Sequence, residues 1–306
     1  MNRPKLRIPP LLSYLTGKQR RNRADRQAHD ELLGKGQGVF PKGLEVSWLG
    51  TSGFRLSYQG HVIAIDPYVS RVPARRVLTG RPLQSNRALV QGIFSDVNAV
   101  LVGHTHFDHA LDVPAVAECT KATVYGSTSS TKILALHGLE AQAVTVEPFK
   151  EYREGPFVIR FIPSVHSRLV LGLAVPAGGE ITCDHFDSLG ASQYRCGDVY
   201  GICVEVAGIK IYHQGSADCV DDALRDKDVD VFLAGIAGRS FSDRYLNRIL
   251  TRLRPKVVVP HHYDNFFLPL GEPIRFSFNV NLESFVDEVH AVSRDFTVRT
   301  MNRWNP

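Results

Sequence analysis

The chain has 306 residues, 43% apolar and 22% charged, which suits one large soluble domain or two average ones. Its longest apolar stretch, residues 169–177, is interrupted by Gly172 and Pro176 and is too short to cross a bilayer, and the basic start lacks the sustained apolar run of a signal peptide. The net charge of +5 sits at the start: residues 1–36 carry nine Lys/Arg against three acidic residues, and the rest holds 27 basic and 28 acidic.

The basic surplus therefore belongs to an N-terminal extension, residues 1–43, and gives no reason to place a nucleic-acid surface on the main domain, residues 44–306. A solubilising or subunit-bracing role, as in a homo-oligomer, is the expectation for this extension. Peripheral contact with an acidic membrane is the alternative. The five cysteines (Cys119, Cys183, Cys196, Cys203 and Cys219) form no Cys-x-x-Cys pair, and free thiols in a cytoplasmic protein are expected.

From residue 44 short β-rich runs begin. Residues 44–49, 54–58 and 61–65 read as strands, with turns at Gly50-Thr51-Ser52-Gly53 and Gln59-Gly60, forming a small antiparallel meander that ends at Asp66-Pro67. Residues 70–96, rich in arginine (Arg71, Arg75, Arg76, Arg81, Arg87), read as a long polar excursion.

A strand over 98–103 then runs into His104-Thr105-His106-Phe107-Asp108-His109, three imidazoles and a carboxylate in six residues of a chain with 12 His. Neutral imidazole and carboxylate are the donors that a borderline divalent cation such as zinc prefers.

Downstream, strands and helices alternate. Asp112 is placed to cap a helix over 113–120 with Pro114 in its first turn. Strands are expected over 122–125, 143–146 and 157–163, with a helix over 128–137. A hairpin follows over 200–206 and 209–213, turning on Ala207-Gly208. Strands over 229–233 and 256–260 are flanked by helices near 219–226 and 241–253, and an amphipathic helix fits 281–292. Meanders first and βα alternation later suit two sheets with helices outside rather than one parallel sheet.

The hexapeptide needs further ligands from elsewhere. His166 follows the strand over 157–163, His261 and His262 follow Val257-Val258-Val259-Pro260, and Asp218 lies in the turn Gln214-Gly215-Ser216-Ala217-Asp218. Separate strand ends each offering one ligand are what a site along one edge of a sheet sandwich requires. His29, His137 and His290 are expected at the surface, and His61 in packing.

The order of strand, His-x-His-x-Asp-His, distant His, glycine turn and Pro-x-His resembles the metallo-β-lactamase superfamily of hydrolases over about residues 44–270. The opening Trp48-Leu49-Gly50-Thr51-Ser52-Gly53-Phe54 and Asp66-Pro67-Tyr68 resembles its lactonase-like and phosphodiesterase-like branches. The resemblance implies an α/β (α+β) fold, a four-layer αββα sandwich. It implies one metal on His104, His106 and His166 and another on Asp108, His109 and His262, with His261 in packing. Where the family commonly has Gly-Asp, this chain has Gly215-Ser216, and Asp218 becomes the expected bridging carboxylate.

Two zinc ions are implied, with Mn2+ or Fe as substitutes. They would lower the pKa of a shared water and present hydroxide to the electrophile, with Asp108 orienting it and Asp66 holding a ligand imidazole. No Gly-x-Ser-x-Gly elbow and no Walker or dinucleotide-binding glycine pattern is present.

The leading expectation is a metal-dependent hydrolase of a small ester, lactone or related acyl bond. Tyr263, Phe266, Phe267, Phe276 and Phe278 would be either an apolar pocket wall or core. A phosphodiesterase or phospholipase, served by residues 71–87 facing an anionic substrate, is the first alternative. A non-catalytic metal-binding protein is the second. Cys183, Asp184 and His185 are candidates for the pocket rim.

Overall fold

The computed structural model describes residues 18–33, 39–168, 175–277 and 280–305. It contains two sheets. The first has six strands in the order β1 (Glu45–Gly50), β2 (Gly53–Tyr58), β3 (His61–Ile65), β4 (Ala99–Leu101), β5 (Thr123–Gly126) and β6 (Ala143–Thr145). Antiparallel pairing holds β1 to β3, as the meander requires, and parallel pairing continues from β3 to β6. The second sheet, read from its other edge, runs β7 (Glu151–Glu154), β8 (Phe157–Ser164), β9 (Val199–Val206), β10 (Ile209–Gln214), β11 (Val231–Gly235), β12 (Val257–His261) and β13 (Thr297–Val298).

Period-two alternation decides the layers. In β3, Ile63 and Ile65 face the second sheet's Phe161, Ile202 and Ile211 in one core, whereas Val62 and Ala64 belong to another core under the outer helices. Those helices include α3 (Arg87–Phe94), α5 (Val113–Thr120) and α6 (Thr128–Leu136), through Val90, Phe94, Val116 and Ile133. On the far side, β11 is buried along its whole length because α7 (Tyr245–Leu253) and α8 (Leu282–Val292) cover its second face. The result is the expected αββα sandwich. No described helix is long and apolar enough to cross a membrane.

Four expectations are corrected. Residues 70–96 are not a bare excursion: α2 (Ala74–Leu78) and α3 lie there, and α3 buries Val90, Ile93 and Phe94 beneath a polar exterior. The arginines mask that stripe in the sequence. Asp112 does not cap α5; its carboxylate accepts from the amides of Val69 and Ser70 and from the hydroxyls of Ser70 and Ser85, pinning the loop after β3. Near 219–226 there is only a short 3-10 turn, Asp221–Ala223. Finally, part of the basic extension forms a helix, α1 (Lys18–Leu33), which packs on α8 and buries His29, a residue expected at the surface. Residues 1–17 and 34–38 of the extension, Phe278 and most of the apolar stretch 169–177 lie outside the described residues.

Candidate metal centre

Topology brings the ligand candidates to one rim. β3 and β4 run parallel, so the segments after Ile65 and Leu101 emerge together and deliver Asp66 and the hexapeptide. In the second sheet β8 and β10 are each antiparallel to β9, and β10, β11 and β12 are mutually parallel. The exits of β8, β10 and β12 therefore share an edge, carrying His166, Gly215-Ser216 and His262.

Three donor sets form there, each with its ligand atoms within 4.8 Å of one another: His104, His106 and His166; Asp108, His109 and His262; and Asp66, His104 and His109. Ring centroids confirm the crowding, at 3.7 Å for His104–His109 and 4.6 Å for His106–His166.

Hydrogen bonds fix which nitrogen each ring presents. His106 Nε2 donates to the Pro176 carbonyl at 2.8 Å, and His166 Nδ1 to the Ser167 carbonyl at 2.7 Å. His109 Nδ1 donates to Asp66 Oδ2 at 2.8 Å, while Asp66 Oδ1 accepts the Gly103 amide at 2.7 Å. The opposite nitrogen of each ring is left with its lone pair. His104 is buried with neither nitrogen hydrogen-bonded to protein, and His262 Nδ1 is likewise unpartnered. Orphaned buried imidazole nitrogens are rare without a further ligand to meet them. A divalent cation fits that need.

The electrostatics agree. Burial, reinforced by the neighbouring imidazoles, drives the His104 pKa well below its ordinary value and that of His166 down to about 3. Burial also lowers His106. At His109 burial acts the same way, but Asp66 and Asp108 outweigh it and the pKa rises. At Asp108 burial favours the neutral acid, yet His109 and His262, the latter with Nε2 at 3.3 Å, hold the carboxyl well below the usual range. The carboxylate of Asp108 is thus ionised, and the imidazoles of His104, His106 and His166 are held neutral, the protonation state in which they ligate.

Of the residues expected at the site, Asp218 does not reach it. Its Oδ1 accepts from Arg248 Nη1 at 2.9 Å and from the Cys219 amide at 2.8 Å. The turn leaving β10 points Ser216 into the cleft instead, and Arg248 on α7 satisfies the displaced charge. Gly215 is required beside it, because a Cβ there would lie 2.9 Å from Asp66 Oδ2 and 3.3 Å from His109. His261 packs away from the cleft, stacked on His213 with centroids 4.9 Å apart and set edge-on to Phe54.

The sequence reading missed the clamp behind His262. The His262 amide donates to Thr51 O at 2.8 Å, and the Thr51 amide donates to Asp264 Oδ1 at 2.7 Å. Arg71 Nη1 donates to Asp264 Oδ2 at 2.8 Å in a pair with almost no solvent contact. Thr51, Asp66 and His262 all take left-handed backbone (φ 51, 43 and 60), strain of the kind that gathers at functional sites. The available signal was an acid, Asp264, set inside an aromatic run.

The cleft encloses about 310 Å3. Its described lining includes His106, Asp108, His166 and His262 together with Phe107, Phe266 and Phe267, and Phe266 packs edge-on to His262 with centroids 5.7 Å apart. None of the described lining residues is Lys or Arg. Phe276 and Tyr263 stack on each other in the core, and Arg71 is buried, so neither part of those sequence sets joins the wall. Cys183, Asp184 and His185 are absent from the described lining as well.

The family described as Beta-lactamase superfamily domain matches residues 45–262. A UPF0173 metal-dependent hydrolase of Cupriavidus taiwanensis is 30% identical over 247 residues, covering 76% of this chain and 78% of its own. A UPF0173 metal-dependent hydrolase of Staphylococcus aureus is 27% identical over 247 residues, covering 78% and 94%. Among solved structures, Igni18, a metallo hydrolase of Ignicoccus hospitalis, aligns with a TM-score of 0.53 at 20% identity, over 85% of this chain and 95% of its own. The metallo-β-lactamase fold protein YhfI of Bacillus subtilis aligns with a TM-score of 0.53 at 15% identity, over 85% and 96%.

Proposed function

Because the chain belongs to the β-lactamase superfamily and is a metal-dependent hydrolase within it, we propose that it cleaves a small ester, lactone or related acyl bond carrying an apolar group. The observation that carries this reading is the cleft lining: Phe107, Phe266 and Phe267 line the same cleft as the donors, Phe266 edge-on to His262 with centroids 5.7 Å apart, and no cationic side chain is among the described lining. An anionic phosphodiester would have only the bound cation to offset its charge, with no lysine or arginine among the described lining to assist, whereas an uncharged acyl substrate needs no such help. The arginines of residues 71–87 do not supply it: Arg71 is committed to Asp264, and none of the others lines the cleft.

The donors suit zinc, since imidazole nitrogen and carboxylate oxygen are its ordinary ligands. A divalent cation held there lowers the pKa of water and polarises an acyl oxygen. The chain's own residues do the remainder. Phe266 and Phe267, with ring centroids 4.4 Å apart, receive the apolar part of the substrate and displace water from it. The Asp108 carboxylate opens into the same cleft and is kept ionised, so its Oδ atoms orient the attacking water and take up its proton. Asp66 holds the His109 ring in one tautomer while this happens.

The test is a substrate panel on the full-length, zinc-supplemented protein: p-nitrophenyl butyrate, aliphatic γ-lactones and bis(p-nitrophenyl) phosphate. Turnover of the esters or lactones with little of the diester is the expected result. Diester turnover alone would overturn the acyl assignment in favour of a phosphodiesterase.

A further inference from the structure

The donors of the cleft are electrostatically unequal. His104, His106 and His166 offer three nitrogens, whereas Asp108, His109 and His262 offer a carboxylate and two nitrogens. Behind the second set stands a further carboxylate, Asp66, bound to His109 Nδ1 at 2.8 Å. Behind the first, His106 and His166 lean only on the uncharged carbonyls of Pro176 and Ser167.

The junction of the two sets is occupied by Gly215-Ser216. Gly215 abuts His109, and Ser216 Oγ accepts the amide of Ser167, the residue after His166, at 3.0 Å. The side chain that this turn presents to the cleft, next to Gly215 at His109 and bonded to the residue after His166, is therefore a hydroxyl, and the acid along the turn, Asp218, is paired with Arg248.

From this asymmetry we infer that Asp108, His109 and His262 take up a divalent cation first and tightly, and that the histidine-only set takes a second far more weakly. A dication entering a buried site is stabilised where negative charge faces it, directly from Asp108 and through the His109 ring from Asp66. The histidine-only set contributes no carboxylate of its own; the nearest, Asp66, lies within 4.8 Å of a His104 nitrogen but is hydrogen-bonded to His109. Once the first cation is seated its field opposes the second, and the Ser216 hydroxyl carries nothing to offset that repulsion. The inference rests on the metal-centre reading and specifies which residues set its stoichiometry.

The experiment is zinc content by plasma mass spectrometry on full-length protein dialysed against a graded series of zinc–chelator buffers, with folding checked by circular dichroism. Wild type is expected to hold about one equivalent across at least a tenfold range of free zinc before gaining a second. His104→Gln should keep that equivalent and Asp108→Asn should lose it. Ser216→Asp, which sets a carboxylate between the sets, should bring both equivalents into one step. Two equivalents gained together by wild type would overturn the inference, as would an equivalent kept by Asp108→Asn and lost by His104→Gln. Folded wild type that binds no zinc at all would instead overturn the metal-centre reading itself.

Discussion

In the proposed mechanism, ligation and proton transfer both fall to Asp108. It contributes almost no core volume, lines the cleft and pairs with His262 at 3.3 Å. Asp108→Asn should therefore lower kcat on an ester substrate by at least about 100-fold. Metal-free Asp108→Asn should still unfold cooperatively in urea and keep the wild-type circular dichroism spectrum. Loss of fold along with loss of rate would mean that the residue is structural. The hexapeptide announced this role in the sequence because four ligating side chains in six residues have no packing explanation. Asp218 misled because sequence spacing cannot show that a turn presents Ser216 and hands its acid to an arginine, Arg248, 30 residues away.

The loop after β12 works as a unit. Asp264 anchors it to the β1–β2 turn through Thr51 and to Arg71, and its carboxyl, although burial opposes the charge, is held below the usual range by Arg71 and Arg303. A carboxyl depressed on folding contributes stability above its ordinary unfolded pKa of about 3.9 and loses it as the pH falls through the folded value. Wild type should accordingly lose stability on acidification below about pH 4. Asp264→Ala should cost about 3–5 kcal/mol at neutral pH, leaving Arg71 buried and unpaired; denaturant melts across pH would show both effects.

The same loop carries the aromatic wall. Phe266→Ala should raise KM for p-nitrophenyl butyrate about tenfold while leaving acetate esters nearly unchanged, and an equal effect on both would remove Phe266 from substrate recognition. Most strands were legible as short apolar or alternating runs, but β7 (Glu151–Glu154) and β13 (Thr297–Val298) were not, the first being polar and the second only two residues long. The helix over 87–94 was not legible either, since its buried stripe is only three residues in a segment flanked by polar chain, and the Asp264 clamp was marked by nothing but an acid inside an aromatic run, its partner Arg71 lying 193 positions away.

At the scale of the molecule, α1 is part of the folded body. Asp25 Oδ1 accepts the Leu282 and Glu283 amides at the start of α8, at 2.7 and 3.0 Å, and Thr300 Oγ1 donates to the His29 carbonyl. Asp25→Ala should destabilise the protein by about 1 kcal/mol, as for other helix-start acids, read as a lowered urea midpoint.

The rim that gathers the ligands has a consequence of its own. His104, His106 and His109 come from one sheet, His166 and His262 from the other. An ion gripped among them would rivet the two halves together, cross-linking stretches of chain far apart in order. Chelation should then part the seam at that rim before either half melts, with amide exchange quickening first at the exits of β4, β8 and β12.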